Sequence, residues 1–174
     1  MVMYRNGIPL RPAEEIGHHL GLTVPPDRAR LFYADVATEI RSNFPLGGIR
    51  SHLPEYHPNA AFDRMGIPLR FTIEPISGFS SAHALVSRLR ALEEQDGDAM
   101  LPWNIGVLLD DPSRDWAHVA VFDRVIGERV RIIDPGWQAP KWSTFDGERM
   151  FAAMQRHHPD WAGIWLLSRT DTTP

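Results

Sequence analysis

The stretch Asp115–Pro135, DWAHVAVFDRVIGERVRIIDP, places a histidine at the head of one apolar run and an aspartate at the foot of the next. Between them Gly127 supplies a turn, and the flanking residues alternate in the period of two that marks half-buried strands. The stretch therefore predicts a β-hairpin. A three-residue loop, Val125–Gly127, sets Arg124 opposite Glu128, Phe122 opposite Val130, Ala120 opposite Ile132 and His118 opposite Asp134. Directly opposed residues share a sheet face, with Cβ atoms about 4.5–5.5 Å apart. A slip of one residue would send His118 and Asp134 to opposite faces. The expected register makes them a histidine oriented by a carboxylate, the base-and-orienter half of a catalytic triad. The plainer alternative is a partly exposed histidine starting a strand and an Asp-Pro strand terminator.

The rest of the chain builds around this hairpin. The opening MVMYRNGIPL reads as the last turn of a helix, and RPAEEIGHHLGL as a short helix with Pro12 in its first turn and Gly21 at its stop. Residues 23–57 are mixed and rich in breakers, with room for a short helix around Arg28–Ala37. HPNAAFDRMG predicts a helix capped at Asn59 and ended by Gly66. IPLRFTIEPI alternates like a strand. SSAHALVSRLRALEEQDGD is the clearest helix, capped by Ser80 or Ser81, with Ala82, Leu85, Val86, Leu89 and Leu92 on one stripe. WNIGVLLD, AHVAVFDR and RVRIID read as three close strands, FDGERMFAAMQRHH as a helix and WAGIWLLSR as a closing strand. Short hairpin links replace the long crossovers of a parallel sheet. The expected class is α+β, with N-terminal helices packed on a mostly antiparallel sheet.

Composition narrows the possible functions. A chain of 174 residues, 43% hydrophobic, is the size of one domain, 1–174, with a real core. A net charge of −4 argues against nucleic acid as a partner. No apolar run approaches the roughly 20 residues needed to span a bilayer, and no secretory signal follows Met1. The expectation is a soluble cytoplasmic protein that needs no membrane. The chain holds no cysteine, which removes disulfides, thiolate metal sites and its own thiol catalysis together.

HVAVFDRVIGERVRIIDP resembles the His…Asp-Pro half of papain-like peptidases of the bacteriocin-processing, C39-like kind. In that family an H-x-V-V strand and a following V-x-x-x-DP strand carry the catalytic histidine and aspartate. The helix SSAHALVSRLRALEEQ ahead of PWNIGVLL, the helix near FDGERMFAAM and the last strand WAGIWLLSR follow the same element order. PAEEIGHHLGL is similar to the family's second helix. The resemblance implies a papain-like fold, a peptide or protein substrate, peptide amide hydrolysis or acyl transfer, and no cofactor. It makes His118 the general base and then general acid, with Asp134 as its orienter.

One departure matters. The family's nucleophilic cysteine starts an N-terminal helix, preceded by a glutamine of the oxyanion hole, and that helix ends in a pattern like M-V-L-x-Y-x-G-I. MVMYRNGI matches the end of that pattern, so the resemblance places the glutamine and cysteine upstream of Met1. A gene fragment and a natural pseudo-peptidase both account for this. The fragment is the favoured expectation, because Met1 opens inside an element without a cap. A non-catalytic module that binds a peptide or protein on the same fold is the alternative function.

Other residues compete for roles beside the pair. Trp103, Trp116, Trp137 and Trp142 flank the ends of the strands that carry it. Trp116 and Trp137 are candidates for the apolar wall of a peptide groove, Asn104 for a hydrogen bond near the site, and Trp103 for core packing. His18-His19 and His157-His158 cannot each clamp one metal ion, since neighbours on a helix point about 100° apart. No metal site is expected. His52, His57 and Glu55 are candidates for a cleft rim, His83 for a structural role, and oligomeric state is not readable.

Overall fold

The computed structural model describes residues 2–31, 37–38, 48–134 and 141–170. It is α+β, with helices and a mostly antiparallel six-stranded sheet. Two compact units divide the chain, one of residues 1–70 with 169–174 and the other of residues 71–168. No helix among the described residues is long and apolar enough to cross a membrane.

Among the described residues the first unit contains three short helices, α1 (Val2–Arg5), α2 (Ala13–His19) and α3 (Pro58–Met65). Strands β1 (Thr23–Val24) and β2 (Ala37–Thr38) pair in parallel. Ile8, Ala61, Met65, Ile67 and Leu69 form its core. The sequence points to Asn59 as the cap of α3; the cap is instead His57, whose Nδ1 accepts the Asn59 N–H at 3.3 Å. Pro58 fixes the first helical turn, so the residue before it must supply the acceptor. Gly66 ends α3 at φ 62°, as expected. Within residues 28–37, a 3₁₀ turn runs over Pro26–Leu31, and 32–36 lie outside the described residues.

The second unit is built on the sheet. Its strands are β3 (Leu69–Pro75), β4 (Asp98–Asn104), β5 (Ala117–Ile126), β6 (Arg129–Ile133), β7 (Trp142–Asp146) and β8 (Gly163–Arg169), in the order β3-β8-β4-β5-β6-β7. Helix α4 (Ala82–Glu94) packs on β5, and α6 (Gly147–Gln155) on β4 and β6. The Ser81 hydroxyl accepts the Ala84 N–H and starts α4, and Leu85, Val86, Leu89 and Leu92 are buried as the stripe requires. Ala99, Leu101 and Trp103 from β4, Ala120 and Phe122 from β5, and Val130 and Ile132 from β6 complete the core on this inner face. Each fully buried side chain of leucine size stabilises the unit by about 1.5–3 kcal/mol.

One strand assignment needs correction, and one strand is missed. WNIGVLLD is not a strand: β4 ends at Asn104, and Ile105–Leu109 is helix α5. The Asn104 side chain accepts the Val107 N–H at 3.0 Å, so a capping residue hidden in an apolar run turns strand into helix. The strand proper lies earlier, over Asp98–Asn104, where Pro102 weakens the strand signal. Strand β7 escapes the sequence reading because its five residues merge into the start of α6, where Asp146 Oδ1 accepts the Glu148 N–H.

Candidate active site

The hairpin exists, but its turn is tighter than the sequence suggests. Ile126 pairs with Arg129, so only Gly127 and Glu128 turn the chain, and Gly127 takes the positive φ of 61° that such turns need. Carried unchanged along the ladder, that register would set Asp134 opposite Val121 and His118 on the other face. The ladder shifts between Phe122 and Arg124, where Asp123 is an extra residue. Beyond this bulge Phe122 pairs with Ile132 and Val121 with Ile133, which brings Asp134 into step with Ala120. His118 and Asp134 are therefore not directly opposed, as expected, but diagonal neighbours on one face, within reach of an imidazole. The bulge restores the parity that the two-residue turn would have broken.

His118 Nε2 lies 2.8 Å from Asp134 Oδ1. Asp134 has no solvent exposure, whereas the His118 side chain retains 21%. The carboxylate is thus the inner member of the pair and the imidazole the one open to solvent. An ionised carboxylate only accepts, so against ionised Asp134 the ring donates from Nε2–H, and in the neutral imidazole Nδ1 then carries the lone pair. Trp103, fully buried, pairs with His118 across β4 and β5; the two rings meet edge-on with centroids 4.9 Å apart. The ring is held by hydrogen bond on one edge and by packing on its side. Such a group can take a proton from an incoming nucleophile at Nδ1 and return it to a leaving group.

Of the other expected site residues, Asn104 and Trp116 lie among those described. Asn104 neighbours Trp103 on β4 and so projects to the opposite face. Besides capping α5, its amide donates to Asp115 Oδ1 at 2.7 Å. That bond, followed by the charge of Arg156, holds the Asp115 carboxyl below its ordinary range. Asn104 thus shapes the turn leading into β5. Trp116 is half-buried against the core beneath the Arg114 guanidinium, 5.7 Å from its ring centroid, and its carbonyl accepts the Ile105 N–H. Trp137 lies outside the described residues. His57 serves α3, and His83 Nδ1 meets Glu128 Oε2 at 3.3 Å on the surface.

The sequence alone presents Trp103 as core packing and does not show that it also buttresses His118; only the pairing of β4 with β5 reveals it. No family model matches the chain, and no curated protein and no solved structure matches it. What the site can do therefore rests on its own geometry. The pair sits at one end of the helix-covered face, with the imidazole towards solvent and the carboxylate sealed beneath.

Proposed function

We propose that this protein carries the base half of a papain-like, C39-like cysteine peptidase site, acting in hydrolysis or acyl transfer at a peptide-type carbonyl. The observation that supports the reading best is the 2.8 Å bond from a partly exposed His118 to a fully buried Asp134. The attacking thiol comes from outside the 174 residues, which contain no cysteine. As thiol sulfur bonds to the acyl carbon, its proton passes to His118 Nδ1. Collapse of the tetrahedral adduct breaks the bond to the leaving group, and His118 returns the proton to it. Asp134 fixes the tautomer and stabilises the imidazolium formed in between.

Chemical complementation tests this. A small alkyl thiol is supplied with a short peptide p-nitrophenyl ester, and p-nitrophenolate release is followed. The protein should accelerate thiolysis, and His118→Ala should lower the protein-dependent rate by about 10²-fold, the scale of a positioned general base. Equal rates with the wild-type and His118→Ala proteins would refute the proposal.

The absence of cysteine also favours a second reading, a module that binds a peptide without turning it over. That reading expects peptide binding by the protein and no His118-dependent thiolysis.

A further inference from the structure

Strand β7 is the last strand of the sheet among the described residues. Asp134 N–H donates to the Lys141 carbonyl and Gly147 N–H to the Glu128 carbonyl, both at 3.0 Å. Counting by twos between these bonds, Ser143 and Phe145 direct their backbone groups at β6, while Trp142 and Thr144 direct theirs away from the sheet. The Thr144 carbonyl accepts Arg129 Nη2 at 3.1 Å.

The side chains along this edge are unusual for a solvated strand end. Trp142 is 57% exposed, with the Arg131 guanidinium 5.4 Å from its ring centroid. Arg124, Arg129 and Arg131 share the outer face of the hairpin. Asp123 serves two of them, accepting from Arg124 Nε at 3.1 Å and from Arg131 Nε. Among the described residues Arg129 meets only a backbone carbonyl. These three guanidiniums stand against two carboxylates, Asp123 and the Asp146 that lies opposite Arg129 on β7, which leaves one positive charge in excess here in a chain whose net charge is −4. An arginine guarding the edge against aggregation would account for Arg129 alone. It leaves the exposed indole and the stacked second arginine unexplained.

We infer that the outer edge of β7 is a docking strand for an extended acidic segment of a peptide. The segment adds to the sheet through the backbone groups of Trp142 and Thr144. Its carboxylates draw Arg129 from the Thr144 carbonyl and meet Arg131, and an apolar side chain covers Trp142. The inference deepens the peptide-ligand reading above and rests on it. β7 starts where Lys141 meets Asp134, so a docked chain runs from the end of the sheet that holds the pair.

The test uses a fluorescein-labelled peptide of alternating glutamate and valine, with its lysine–valine counterpart as control, read by fluorescence anisotropy. Thr144→Pro removes one outward N–H and no bond to β6. It should weaken binding by about tenfold, the loss of one net hydrogen bond. The double variant Arg129→Gln, Arg131→Gln keeps the backbone intact and should weaken binding at least as much, with a shallower salt dependence. Unchanged affinity in the double variant, equal binding of the lysine–valine peptide, or dimers formed through β7 in sedimentation would each overturn the inference. His118→Ala should bind the acidic peptide like wild type while losing thiolysis, and Thr144→Pro should do the reverse. Failure of the docking strand is thus distinguishable from failure of the base.

Discussion

A carboxylate without solvent exposure, 2.8 Å beneath a histidine, decides which ring nitrogen carries the proton. Asp134→Asn keeps the shape but offers an amide that can donate as well as accept, so the ring can settle in the wrong tautomer. Thiolysis should then fall by about 10²–10⁴-fold while the unfolding midpoint moves little; a rate within twofold of wild type would contradict the orienting role. A second histidine gives a pH prediction. Burial, opposed by the smaller effect of the His158 carbonyl and reinforced by the charge of His158, holds the His157 imidazole below its ordinary value. Its ring packs edge-on to Trp165, with centroids 6.3 Å apart. In the unfolded chain this group titrates near about 6.5. As pH falls below that value the unfolded chain takes up the proton first. Its contribution to stability is therefore present above that value and is lost as pH drops toward the lower folded value. His157→Gln should flatten that part of a denaturant-midpoint profile; an unchanged slope would show that His157 does not titrate differently on folding.

At the scale of elements, the Asp123 bulge reconciles the two-residue turn with the shared face of the pair. Deleting Asp123 removes the unpaired residue and leaves Arg124 opposite Arg131 and Phe122 opposite Ile132, so His118 and Asp134 should stay on one face. Thiolysis and the imidazole N–H resonance held by Asp134 should therefore persist in the deletion variant. Loss of that resonance from a protein that keeps its β-sheet signal would refute this register. The hairpin itself was legible from Gly127 and the alternation around it, and so was the shared face of the pair. The exact partners were not, because the tight turn and the extra residue displace the register in ways that alternation does not report. Asn104 hid the end of β4 in the same manner: a helix cap within an apolar run leaves the hydrophobic period undisturbed. The start of α6 carries a further prediction. A Cβ on Gly147 would lie 2.7 Å from Val86 Cγ2 and 2.8 Å from the Glu128 carbonyl oxygen. Gly147→Ala should therefore destabilise by about 1–3 kcal/mol, read from denaturant unfolding; an unchanged midpoint would mean the helix shifts freely.

Across the whole molecule, the sequence carried the α+β class and the nearness of His118 to Asp134, since helices before a set of hairpin-linked strands leave little besides α+β. It did not carry β7, whose five residues run into the cap at Asp146, or the buttress of Trp103 on His118, which depends on pairing between strands 15 residues apart in sequence (118 − 103). Long-range pairing is the information that local periodicity lacks. The β7 edge, with its outward backbone groups and arginines, emerges only once the strand order is known. All of these features converge on one assembled object, a histidine whose two ring nitrogens have different surroundings. The most direct measurement is the ¹⁵N NMR spectrum of the His118 ring in the folded protein. A neutral ring protonated at Nε2 and bare at Nδ1, reverting to a tautomer mixture in Asp134→Asn, is the predicted result. A ring protonated at Nδ1, or one indifferent to Asp134→Asn, would contradict the account.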